Sequence, residues 1–201
     1  MSTSQLPSRR SIRLQDFDYR TSGVYFFTIC TPSRKDIFGG IADEKMILNA
    51  EGEMVWETWH KLPQHYPTVQ LDAFVVMPNH VHGVIALHRQ SPQRAGLRPA
   101  PTLEAPSAVE AHHAAAIRKA PSLANIVGSL KSFSARRIHR ARGTSQAPVW
   151  QRGYFGRIVR TGEELTAIQQ YIAENPARWS WDRENPSAGA ELDAFAWESK
   201  P

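Results

Sequence analysis

The sequence predicts an α+β fold, an antiparallel sheet with helices packed on it, and three observations carry the prediction. The run Val24-Tyr25-Phe26-Phe27-Thr28-Ile29-Cys30 is dense in aromatic and β-branched residues, the composition that suits a pleated, half-buried strand. Residues 71–77 and 80–87 are two further apolar, β-rich runs separated by Pro78-Asn79, which reads as two adjacent antiparallel strands joined at a turn. Between and after these runs lie segments whose apolar residues recur at helical spacing.

In chain order, a basic lead-in (Arg9, Arg10, Arg13, Arg20) ends at Gly23, which releases the first strand over 24–31. Phe38-Gly39-Gly40-Ile41 reads as a turn and Ile47-Leu48-Asn49 as a short extended piece. Asn49 precedes a helix over 51–62 with Glu51 and Glu53 in its first turn, where acidic groups favour the helix dipole. The two central strands follow. Residues 89–120 then change character, with Pro92, Pro99, Pro101 and Pro106 and no apolar periodicity, and are expected to be a flexible insert. Leu123, Ile126, Val127, Leu130, Phe133 and Ile138 fall close to helical spacing with the basic residues largely opposite, and Gly143 ends that helix. A strand is expected over 149–159, carrying Trp150, Tyr154, Phe155 and Ile158 among Arg152, Arg157 and Arg160. The last helix starts after Thr161, with Glu164 placed for a capping box, and runs through Leu165, Ile168, Tyr171 and Ile172 to Asn175-Pro176. Strand, helix, strand, strand, helix, strand is the split βαβ, ferredoxin-like order, helices on one face, with a further C-terminal helix laid against it. The domain is expected over 13–180, flanked by a flexible basic N-terminus at 1–12 and a tail at 181–201.

At 201 residues the chain is long enough for one ordinary core. Its single cysteine, Cys30, cannot form an internal disulfide, which argues against a disulfide scaffold and suits a reducing cytoplasm. No stretch reaches membrane-spanning length, so a soluble, cytoplasmic protein without a membrane partner is expected. The net charge of +5 is unevenly spread. Residues 111–162 contain no Asp or Glu, while Lys131, Arg136, Arg137, Arg140, Arg142, Arg152, Arg157 and Arg160 all lie there. A field of one sign that long suits a polyanion, and arginines interleaved with aromatics suit phosphates and stacked bases.

The chemistry centres on Pro78-Asn79-His80-Val81-His82-Gly83. Side chains alternate along a strand, so His80 and His82 share one face while Val81, Gly83 and Ile85 take the other. Two imidazoles on one face can hold a divalent ion, although the spacing also fits ordinary hydrogen-bonded strand residues. On the last helix Tyr171 and Asn175 are four apart and share a face. A tyrosine and an amide opposite two histidines would complete a metal site with a nucleophile beside it. Glu174 is a rival third ligand, farther round the helix.

These residues carry a resemblance. Met77-Pro78-Asn79-His80-Val81-His82-Gly83 is similar to the His-hydrophobe-His metal motif of the one-tyrosine HUH transposases, the IS200-like family. Val149-Trp150-Gln151-Arg152-Gly153-Tyr154-Phe155 and the Tyr171-Ile172, Asn175-Pro176 block resemble further blocks of its REP-associated tyrosine transposase branch, and the strand at 24–31 resembles the opening block. The blocks occur in the right order from Arg13 to about Trp179; the insert and the tail are unmatched. The resemblance implies that Tyr171 attacks a phosphodiester of single-stranded DNA, leaving a 5′-phosphotyrosine link and a free 3′-hydroxyl for later rejoining. It also implies Mg²⁺ or Mn²⁺ held by His80, His82 and Asn175. The DNA backbone would lie along the basic helix and following strand, with Lys131, Arg136, Arg137, Arg140, Arg152 and Arg157 on phosphates and bases on Trp150 or Tyr154. A hairpin substrate and a monomer or homodimer fit the family. A non-catalytic nucleic-acid-binding protein on the same fold is the competing reading, and a metal-dependent nuclease using water is a third.

Overall fold

In a computed structural model of the chain, the structure describes residues 22–88, 121–144 and 147–188. The expected basic N-terminus, the 89–120 insert and the end of the tail lie outside the described residues. Four strands make the main sheet: β1 (Gly23–Cys30), β4 (Val69–Val76), β5 (His80–Leu87) and β6 (Phe155–Val159). Their order is β4-β5-β1-β6, and every neighbouring pair is antiparallel. Helices α1 (Ala50–His60), α2 (Leu62–His65) and α3 (Leu123–Arg142) pack on one face. Helix α4 (Gly162–Glu174) covers the other. The expected α+β, ferredoxin-like order is therefore present, and among the described residues α4 is the one α-helix on its side of the sheet. No helix among the described residues is long and apolar enough to cross a membrane.

The larger core lies under α1 and α3, where Tyr25, Phe27, Ile29, Trp59, Val81, Ile85, Ile126 and Leu130 are buried. Trp59 stacks on Phe74 at 4.3 Å and nearly parallel, and its ring also meets Phe27 at 5.9 Å. Phe27 lies opposite Gly83 in the β1–β5 register, and a Cβ at Gly83 would stand 2.6 Å from the Phe27 ring. The glycine is needed there because the aromatic ring occupies the space. Asn49, which precedes the expected helix, caps α1, its side-chain oxygen accepting from the amides of Glu51 and Gly52.

Two expectations change. Gly39-Gly40 belongs to a strand rather than a turn: β2 (Gly39–Ala42) and β3 (Lys45–Leu48) form a separate hairpin, turning at Asp43 and Glu44, which both have positive φ. Gly39 has φ +135 and room for no Cβ, since one would fall 2.0 Å from the Ile47 carbonyl oxygen. The strand expected over 149–159 is ordered as a strand only from Phe155. Before it, the Lys131 ammonium donates to the carbonyls of Gln151, Arg152 and Gly153, and the Gln151 amide donates to Cys30. Those carbonyls are satisfied by a side chain instead of a strand ladder, so the chain loops.

Candidate active site

Strand β5 delivers His80 and His82 to the α4 side of the sheet, while Val81 and Ile85 enter the core under α1 and α3. Both rings are buried, and their Nε2 atoms lie 3.0 Å apart. Thr28, opposite His82 in the register, places its Oγ1 2.8 Å from His82 Nδ1. Asn79 places its Oδ1 2.9 Å from His80 Nδ1. Burial pushes His80 down to about 3, the Arg34 guanidinium acts in the same direction, and the nearby Asn175 amide opposes them. Burial, then the neighbouring His80, holds His82 well below its ordinary value against the opposing pull of Asp182. Both rings are neutral near pH 7, the form that ligates metal.

Helix α4 brings Tyr171 over this pair. Thr161 caps the helix by accepting from the Glu164 amide, while the Glu164 carboxylate accepts from the Arg160 amide rather than completing the expected box on Thr161. Ile168 and Ile172 bury beside Phe26 and Val84, and this packing sets Tyr171 in place. Its ring meets Phe26 edge-on at 6.5 Å, and its Oη lies 3.1 Å from His82 Nε2. Tyr171 is 7% exposed. Glu174 points elsewhere, pairing with Arg178 and Gln170.

Beyond α4 the chain turns through Trp179–Trp181 and buries Asp182 beside the histidines. His80, His82 and Asp182 offer ligand atoms that lie within 4.8 Å of one another, so the cluster can hold a metal. Sequence reasoning missed Asp182, which falls in the segment read as a tail, and no local pattern in the sequence marks it. Asn175 donates from Nδ2 to Asp182 Oδ2 at 2.8 Å, and its Oδ1 is buried with no hydrogen-bond partner. An orphaned oxygen of this kind calls for a group to satisfy it. Two ligands about 2.1 Å from one cation on adjacent octahedral vertices lie about 3.0 Å apart, as the two Nε2 atoms do. The residues fit a cation.

The structure divides the expected DNA-contacting set. Trp150 is packed in the core, its ring 4.9 Å from Phe38 and its Nε1 donating to Ser134, which leaves no free face for a base. Lys131 is occupied by the three loop carbonyls. Acids outside the 111–162 window reach three arginines within it: Arg137 pairs with Glu57 at 2.6 Å, Arg157 with Glu164 at 2.8 Å, and Arg142 with Glu51. Arg136, Arg140 and Arg152 are exposed with no acidic partner among the described residues, Arg136 lying over the Phe133 ring. Tyr154 is half-buried against the core.

The all-antiparallel split βαβ sheet thus sets a His-His-Asp cluster that could hold a metal ion beside a helical tyrosine. The chain matches the family described as "Transposase IS200 like" over residues 110–175. It is also 35% identical over 176 residues to an uncharacterized protein of Haemophilus influenzae, covering 87% of this chain and 92% of that one. Among solved structures, it resembles a REP-associated tyrosine transposase bound to a REP hairpin with TM-score 0.51. That likeness spans 85% of this chain and 77% of the other at 16% identity, a similarity of fold.

Proposed function

We propose that the protein cuts and rejoins single-stranded DNA through a covalent link to Tyr171. The observation that carries this reading is the phenol oxygen 3.1 Å from His82 Nε2, beside a buried His80, His82 and Asp182 cluster. His80, His82 and Asp182 would hold Mg²⁺ or Mn²⁺, with Asn175 Oδ1 as a further donor; the bound ion would polarise the scissile phosphate and absorb its developing charge. Tyr171 forms a new P–O bond to the 5′ phosphate as the 3′ oxygen leaves and takes up a proton, while the phenol gives one up. One phosphodiester replaces another, so the step reverses and a 3′-hydroxyl can reclaim the strand. A phenol with an ordinary pKa of about 10 is mostly protonated at pH 7, so positioning and charge stabilisation supply the catalysis. The α4 packing around Tyr171 supports the positioning.

The REP-associated branch, with a hairpin substrate, is the finer reading supported by the likeness of fold and by the sequence blocks. Backbone contacts would fall to Arg136, Arg140 and Arg152, and the domain would span 13 to at least Asp182. The test is denaturing gel electrophoresis of the protein with labelled hairpin-containing single-stranded DNA and Mn²⁺ or EDTA. A metal-dependent, denaturant-stable adduct absent in Tyr171→Phe is expected. Cleavage without an adduct would favour the water-using nuclease; binding without cleavage would favour the non-catalytic reading.

A further inference from the structure

The two histidines differ in what holds their outer nitrogens. Asn79 is fully buried at the β4–β5 turn, and its Nδ2 donates to the carbonyls of Arg34 at 3.1 Å and Glu184 at 2.9 Å. Flipping the amide would set Oδ1 against two carbonyl oxygens, so its orientation is determined by its partners. Its Oδ1 therefore faces His80 Nδ1 at 2.9 Å, and that contact requires a proton on Nδ1. A neutral imidazole carries one N–H. His80 Nε2 is then a lone pair aimed at His82 Nε2, 3.0 Å away. That contact places the proton on His82 Nε2, where the Tyr171 hydroxyl 3.1 Å away can turn its oxygen toward the same N–H, and leaves His82 Nδ1 to accept from the Thr28 hydroxyl at 2.8 Å. Thr28 differs from Asn79 in kind, because a hydroxyl can rotate to donate or to accept.

We propose that Asn79 is a positioning residue that locks His80 as the Nδ1–H tautomer, and that His82, held by Thr28, is the ring that changes tautomer when a cation is bound. The first half concerns the metal-free protein alone; the second rests on the metal reading of the site under Proposed function. With a cation on both Nε2 lone pairs, the His82 proton sits on Nδ1 and the Thr28 hydroxyl turns to accept it. His80 stays as it was. The proton moves within one ring, so the pair releases none on binding. Asn79 also ties His80 to the segment that supplies Asp182, since one of its two carbonyl acceptors belongs to Glu184.

The test is long-range ¹H–¹⁵N NMR of histidine-labelled, EDTA-treated protein at pH 8, where the two tautomers give distinct nitrogen patterns. His80 as Nδ1–H and His82 as Nε2–H are expected; His80 as Nε2–H, or one tautomer shared by both rings, overturns the first half. On titration with Mg²⁺, His82 is expected to move to Nδ1–H while His80 does not change. Mg²⁺ binding that leaves His82 as Nε2–H overturns the second half. Absence of Mg²⁺ binding, with calorimetry showing none for Mn²⁺, overturns the second half and the metal reading together, and the His80 tautomer is still decided by the metal-free spectrum. Asn79→Ala is expected to mix the His80 tautomers and weaken Mn²⁺ binding about 10- to 100-fold, the usual range for losing a partner of a metal-ligating histidine. Thr28→Val, which keeps the β-branched shape, is expected to weaken binding while leaving His80 locked. A changed His80 tautomer in that variant would reverse the assignment of roles.

Discussion

Strand β5 is buried on both faces, yet its two faces do different work. Toward α1 and α3 it presents Val81 and Ile85, both fully buried, in a cluster that gathers side chains from most of the elements. Toward α4 it presents His80, His82 and Val84, and the apolar cluster there is much smaller, centred on Phe26, Ile168, Tyr171 and Ile172. Most of the buried polar groups crowd that second side: Thr28, Asn79, His80, His82, Asn175 and Asp182. Burial alone therefore does not distinguish core from site. What distinguishes them is whether each buried polar atom is satisfied by the chain, and Asn175 Oδ1 is not. The first face stabilises the sheet, and the second holds polar groups whose desolvation that stability offsets.

The strongest way to break this comparison is a pair of substitutions, one on each face. Trp59→Ala, which empties the space beside Phe74 and Phe27, is expected to cost about 3–5 kcal/mol of unfolding free energy, a large part of a domain's total. Tyr171→Phe keeps the ring against Phe26 and loses only the hydroxyl contact, so a change of about 1 kcal/mol is expected alongside loss of the DNA adduct. Urea denaturation measures both. A Tyr171→Phe loss as large as that of Trp59→Ala would mean that the α4 face is core after all.

Acid tests the second face by itself. Unfolded imidazoles titrate near 6.5, whereas burial depresses His80 to about 3 and holds His82 well below its ordinary value. Below pH 6.5 the unfolded chain takes up protons that the folded protein refuses, so stability present above 6.5 is lost as the pH falls toward 3. The slope approaches about 1.4 kcal/mol per pH unit for each ring. Denaturation of metal-free protein between pH 6.5 and 5, above the carboxylate range, is expected to show this slope, reduced in His80→Asn. Flat stability across that window would mean that water reaches the pair.

How much of this was legible follows the range of each interaction. The alternation that sets His80 and His82 on one face is local, and so are the Asn49 and Thr161 caps, so they could be read from the chain. The four-residue spacing placed Tyr171 and Asn175 on one helix face in the same way. Asp182 was not legible, because its approach depends on how the chain turns after α4. Trp150 was misjudged for a related reason: an aromatic among arginines suits a DNA surface, and only tertiary packing shows that Phe38 and Ser134 claim it. The acid-free window from 111 to 162 was real in sequence, but Glu57, Glu51 and Glu164 lie outside it and return to it in space.

That last point gives the smallest predicted effect. Each phosphate neutralised on a single strand contributes about 0.7 to the slope of log affinity against log salt concentration. Arg140→Ala and Arg152→Ala, which remove exposed cations without an acidic partner among the described residues, are each expected to lower that slope by about this amount. Arg137→Ala is expected to change it less, because Glu57 already meets that guanidinium and DNA would have to displace it. Fluorescence anisotropy with a labelled single-stranded hairpin over a salt series separates the two cases. Equal losses from Arg137 and Arg140 would show that the Glu57 pair opens when DNA arrives, making the basic surface of α3 one continuous contact rather than a set of exposed cations among internally paired ones.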